Sequence, residues 1–163
     1  MRWFWIGVIG FFLLVVDVGV LSHIRAVAAG PDPVLLFAIF LAFWGPVGDA
    51  PVSAWLLGIG KDALSAGTMG LFAVLYMALC FFLSRVRADI FTEYNKSHMV
   101  NGGLATLFCY IGAACWHAIQ GAPLGSALAA ALTVAAWNAL LAAPAFWLFF
   151  KFSRLLGTAR RPR

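Results

Sequence analysis

Charge is the scarcest feature of this sequence. Lys and Arg number 11 and Asp and Glu only 6 among 163 residues, so 10% of the chain is charged while 64% is hydrophobic. Soluble domains carry about 25% charged residues and about half apolar ones. With a mean hydropathy of +0.96, an ordinary water-soluble globule is excluded, and the composition is that of an all-α integral membrane protein. Cysteine is also sparse. The three, Cys80, Cys109 and Cys115, lie within apolar runs, which argues against a disulfide framework and reads as small buried hydrophobes. Cys115-x-His117 lacks the second ligand pair that a structural zinc site needs. His23, His98 and His117, the three histidines, fall on different sides or at different depths. No serine stands with a histidine and an acid in a recognisable context, and no carboxylate pair for hydrolysis is visible. The chain is therefore read as a non-enzyme, with no catalytic residue, cofactor or metal expected.

What is present is a succession of apolar segments, about 3–22, 34–44, 51–60, 69–84, 99–118 and 124–150. They predict a six-helix transmembrane domain over 1–151 and a basic cytoplasmic tail over 152–163. Arg2 and Ala26-Val27-Ala28 resemble parts of a signal peptide, but the first apolar run exceeds the usual 7–15 residue core, so a retained first helix is expected. Segments 34–44 and 51–60 are each shorter than the roughly 20 residues of a full span. Two tightly linked spans are expected there in preference to one re-entrant hairpin. The sixth segment is long, and Pro144 predicts a kink within it. Arg2, Arg85, Arg87, Lys96 and the tail cations Lys151, Arg154, Arg160, Arg161 and Arg163 share one side, against Arg25 and Lys61 on the other. The positive-inside rule then places both termini in the cytoplasm. Trp3, Trp5, Trp44, Trp116 and Trp147 stand near segment ends, as an interfacial aromatic belt does.

One stretch interrupts the apolar pattern with polar residues: GIGKDALSAGTMG, positions 58–70. It is not a phosphate loop, because Trp55 and Asp62 occupy positions where that pattern needs Gly and Ser or Thr. A helix end, a compact turn and a new helix are expected. Ser65 or Thr68 would cap the new helix, and Gly67 and Gly70 would admit the turn or a close neighbour. Asp62, at the edge of the apolar region, should find Lys61, N–H groups of the turn or a partner chain. Asp17 is a further acid in an apolar run, expected to snorkel or pair with an interfacial cation. In the sixth segment Asn138 offers interhelical hydrogen bonds, and Ala127, Ala131, Ala135, Ala139 and Ala143 form a small-residue row for close packing. Within the loop 85–98, Val86, Ile90, Phe91 and Tyr94 recur at helical spacing, as a surface helix or a solvated connector would have them.

These residues together resemble the rod shape-determining protein MreD family. PDPVLLFAIFLAF, 31–43, is similar to that family's proline-led second helix. The stretch 56–76 is similar to its G-x-x-x-D-x-x-S-G-x-x-L-G pattern, with Gly58, Asp62, Ser65 and Gly70 at matching positions and Gly67 one place after that of the pattern's second glycine. Ala66, Met69 and Lys61 depart from it, apolar residues being usual before the aspartate. Asn138, Pro144 and FWLFFKFSR resemble the family's closing helix. The likeness covers roughly two-thirds of the chain. It implies a non-enzymatic scaffold of the bacterial elongation machinery in the inner membrane. Such a scaffold binds the bitopic protein MreC and helps couple MreB filaments to a RodA-type glycosyltransferase and its transpeptidase. It also implies a fold similar to the substrate-binding subunits of energy-coupling-factor transporters. A vitamin-binding subunit of that kind is the alternative function. On the first reading Asp62 and its turn fix the junction of helices three and four and offer a docking site for MreC.

Overall fold

A computed structural model describes residues 3–19, 29–65, 68–90 and 95–156. Among them the chain is all-helical: α1 (Trp3–Gly19), α2 (Pro33–Trp44), α3 (Asp49–Leu64), α4 (Leu71–Ile90), α5 (Asn95–Ile119), α6 (Leu124–Lys151) and a last turn α7 (Ser153–Leu156). Met99–Ile119 and Leu124–Lys151 are long and apolar enough to cross a membrane; α1, α2 and the apolar part of α4 are shorter.

At the centre lies α2, which touches α1, α3, α4, α5 and α6. Every residue from Val34 to Trp44 is buried, as expected of a helix that is hydrophobic all round. Its start is set locally. Asp32 is the N-cap, its side chain accepting the Leu35 N–H, and Pro33 opens the helix where its missing N–H costs nothing. Its far end is fixed by aromatic packing. Phe37 and Phe40 meet Phe149 at centroid distances of 5.1 and 5.4 Å, and Trp44 meets Phe150 at 4.8 Å. This is what the FWLFF run of α6 does: Phe146, Phe149 and Phe150 turn toward α2, while Trp147 and Leu148 face outward.

With 12 residues, α2 is about 18 Å long, too short to span alone. Its N-cap sits beside Asn138, halfway along the 28 residues of α6. The helix thus occupies one half of the bundle's length, and the buried, irregular residues 30–32 lead into it from the other.

The small residues of α6 are used within the chain. A Cβ on Gly102 or Gly103 of α5 would come within 2.8 Å of Ala142 or 2.9 Å of Ala139, so these helices meet along a seam of glycine and alanine. Ala131 and Ala135 are buried, and Ala127, Ala139 and Ala143 half-buried, on that side of α6. Helix α6 continues through Pro144, which is exposed.

Two boundaries differ from expectation. Leu156 of α7 is fully buried, and α7 packs on α1 and α6, so the packed body runs past Lys151 into the stretch read as tail. The loop 85–98 is largely helix: α4 continues to Ile90 and α5 opens at Asn95. Phe91 and Tyr94, like Gly67, His23, Arg25 and the tail cations beyond 156, lie outside the described residues.

Candidate functional site

Lys61 and Asp62 are neighbours on α3, about 100° apart around its axis, and they serve two different sites. Lys61 points into the bundle. Its ammonium donates to Asp32 Oδ2, to Tyr76 Oη at 3.0 Å and to Tyr110 Oη at 3.3 Å. Both phenols in turn donate to the same Asp32 oxygen, at 2.6 and 2.7 Å. All three ammonium protons, both hydroxyls and the carboxylate are thereby engaged, with Asp32 Oδ1 taking the Leu35 N–H. The Lys61 nitrogen also stands 4.8 Å from the Phe72 ring centroid, a cation–π contact strengthened by desolvation. An ionised pair removed from water must be closely matched and hydrogen-bonded to survive, and this one is.

Asn138 completes the cluster by reading the Asp32 peptide rather than its side chain. Its Oδ1 accepts the Asp32 N–H at 2.8 Å, and its Nδ2 donates to the Asp32 carbonyl at 3.3 Å and to Thr106 Oγ1 at 3.0 Å. Thr106 Oγ1 donates in turn to the Gly102 carbonyl at 2.7 Å. The N-terminus of α2 is thus tied to α3, α4, α5 and α6 at a single residue, Asp32.

Asp62 points the other way, to the start of α4. Its carboxylate accepts the N–H groups of Gly70 at 3.0 Å, Phe72 at 3.2 Å and Ala73 at 3.0 Å. A negative charge there satisfies donors with no partner inside their own helix and complements the helix dipole. The cap of α4 is therefore Asp62, reached from the preceding helix, and not Ser65 or Thr68. Ser65 instead ends α3, its N–H bonding the Lys61 carbonyl and its hydroxyl the Asp62 carbonyl. Gly70 has φ +91°, a left-handed conformation that glycine adopts without strain. Gly58 explains why α3 and α4 can lie so close: an added Cβ would stand 2.4 Å from the Ala73 Cα. Gly58, Asp62, Ser65 and Gly70 therefore meet at one junction, a clasp between α3 and α4.

Asp17 is buried, in line with Ile6, Gly10 and Leu14 on the inward face of α1, so it does not snorkel. Cys80 and Cys109 are buried and Cys115 is exposed. Among the described residues no three His, Cys, Asp or Glu side chains converge as metal ligands would.

Of the charge cluster, the sequence reading singled out only Asn138 as a hydrogen-bonding residue and treated Lys61 as a departure. Asp32, Tyr76, Tyr110 and Thr106 were missed. A chain with so few charges that places an acid between two prolines and a lysine inside an apolar helix gives the hint, since each needs a counter-charge. Comparison with known protein families, characterised proteins and solved structures returns no match.

Proposed function

We propose that this chain is a multi-pass protein of the bacterial cytoplasmic membrane that acts as a non-enzymatic scaffold of the cell-elongation machinery, as the MreD family does. Both termini face the cytoplasm and the chain crosses six times. The second crossing is made partly of the irregular backbone at 29–32, tolerated at membrane depth because protein covers it. The partner is an MreC-like bitopic protein. Through it the scaffold helps organise a RodA-type glycosyltransferase with its transpeptidase and, on the other side, MreB filaments.

The observation that carries this reading is the clasp. The described positions of the family-like pattern, Gly58, Asp62, Ser65 and Gly70, all serve one junction, and exposed Leu64 and Met69 stand beside it. Apolar side chains presented beside a helix junction suit the docking of a partner. A ligand-binding subunit, by contrast, wants polar groups converging on an open pocket. Here Asp32, Lys61, Tyr76, Tyr110 and Asn138 converge on one another. The energy-coupling-factor-like fold remains part of the proposal as an architecture only.

The test is purification of the tagged chain from its native membrane in mild detergent, with partners identified by mass spectrometry. Recovery of an MreC-like protein with cell-wall synthases is the expected result. Recovery of paired ATPases with a coupling membrane subunit would replace the scaffold with the transporter reading.

A further inference from the structure

Helices α4 and α5 are held together where Lys61 bridges Tyr76 and Tyr110, and where Leu75 packs against Gly112. Beyond Tyr76 along α4 a groove of about 530 Å³ opens between them, with Phe43 of α2 among its lining residues. One wall is Asn101, Leu104, Ala105 and Phe108, a single stripe of α5 at helical spacing; the other is formed by Ala78, Leu79, Phe82 and Leu83 of α4. Phe82, Leu104 and Phe108 are each more than half exposed. About one turn past Phe82 on α4 stands Arg85, exposed, its guanidinium 4.8 Å from the Phe81 ring centroid.

From this geometry we infer a lipid site: the groove takes one acyl chain of an anionic phospholipid whose phosphate is bound by Arg85. The inference rests on the membrane location proposed above but not on the scaffold role. Two features favour a lipid over the transmembrane helix of a partner. Helices in membranes pack closely through small residues, and this chain's glycine–alanine seam is already used between α5 and α6. The groove is instead rimmed by bulky side chains, which leave room for a thin flexible chain and hinder a helix backbone. The charge at its end also matches: arginine near a membrane surface attracts anionic headgroups and binds phosphate oxygens in bidentate fashion.

The probe is phosphatidylglycerol carrying a diazirine on one acyl chain, in nanodiscs holding the purified full-length protein, with the phosphatidylcholine analogue as control. Photolabelling is expected to concentrate on Phe82, Leu104 and Phe108, to favour phosphatidylglycerol severalfold, and to lose that preference in Arg85→Gln. Ala78→Trp, which fills the groove at an exposed position, should remove the labelling while helicity and thermal midpoint stay unchanged. Labelling spread evenly over other lipid-facing residues such as Phe4, Phe11 and Trp147 would overturn the site. So would equal labelling by both lipids, or failure of the chain to insert into a bilayer. A photoreactive residue at position 108 that crosslinks a protein in cells would overturn it in favour of a partner helix. Failure to recover an MreC-like protein, with this labelling intact, would count against the scaffold alone.

Discussion

Lys61 and Asp62 adjoin in sequence, yet the regions they serve differ in reach and in openness. The interior cluster draws one residue or more from each of α3, α4, α5 and α6 onto the N-terminus of α2. Its bonds close on one another, and Asp32, Lys61, Tyr76, Thr106 and Asn138 are buried, with Tyr110 half-buried. The clasp joins only α3 to α4, and it stands beside exposed apolar side chains. In a chain so poor in charge, the Asp32–Lys61 pair and its hydrogen bonds tie α2 to α3, α4, α5 and α6 at one point. Asp62, the next residue along, joins α3 to α4 at the edge where the proposed partner would dock.

This contrast is broken most forcefully at the interior. Lys61→Ala leaves the Asp32 carboxylate buried without its cation and is expected to destabilise the fold by about 3–5 kcal/mol, read as lost membrane abundance and a lower thermal midpoint. The pair Asp32→Asn with Lys61→Met removes both charges while keeping an N-cap residue, and should recover most of the loss. No recovery would mean that the ion pair contributes more than mutual neutralisation.

Next comes Gly58→Ala. Its Cβ would meet backbone atoms of α4 rather than a side chain that can move, so a loss of roughly 1–3 kcal/mol is expected. A thermal midpoint equal to that of wild type would show that α3 and α4 are not held in this close approach. Asp62→Ala should be milder, about 0.5–2 kcal/mol for a lost helix cap, with abundance largely kept. Gly70→Ala should be the mildest of the three clasp changes, at about 1 kcal/mol for a left-handed residue, since nothing crowds its Cβ position.

Much of this architecture was legible in the sequence, for reasons tied to particular elements. Apolar run length located α1 to α6 among the described residues, and α6 runs from Leu124 to Lys151 where 124–150 was expected. The ends of α4 and α5 were misjudged because helix continues through the charged and polar residues 85–90 and 95–98, where hydropathy falls but backbone bonding does not. The full burial of α2 was hinted at by its lack of any polar face. The interior cluster was not legible, because its bonds join residues 29, 44 and 78 positions apart, and no local pattern reports such pairings. At the clasp, pattern reasoning singled out Gly58, Asp62, Ser65 and Gly70, which the structure brings to one junction, but gave the cap to Ser65 or Thr68. A carboxylate one helix back competes better for three N–H groups than a hydroxyl in the turn, through its charge and its two oxygens.

The most direct measurement is capture of the MreC-like partner by two variants at matched membrane abundance. The variants are Asp62→Ala, which opens the clasp, and Asp32→Asn with Lys61→Met, which neutralises the interior. The account predicts that capture falls sharply with the first and is retained by the second. Full capture by Asp62→Ala, or its loss on neutralising the interior, would contradict it.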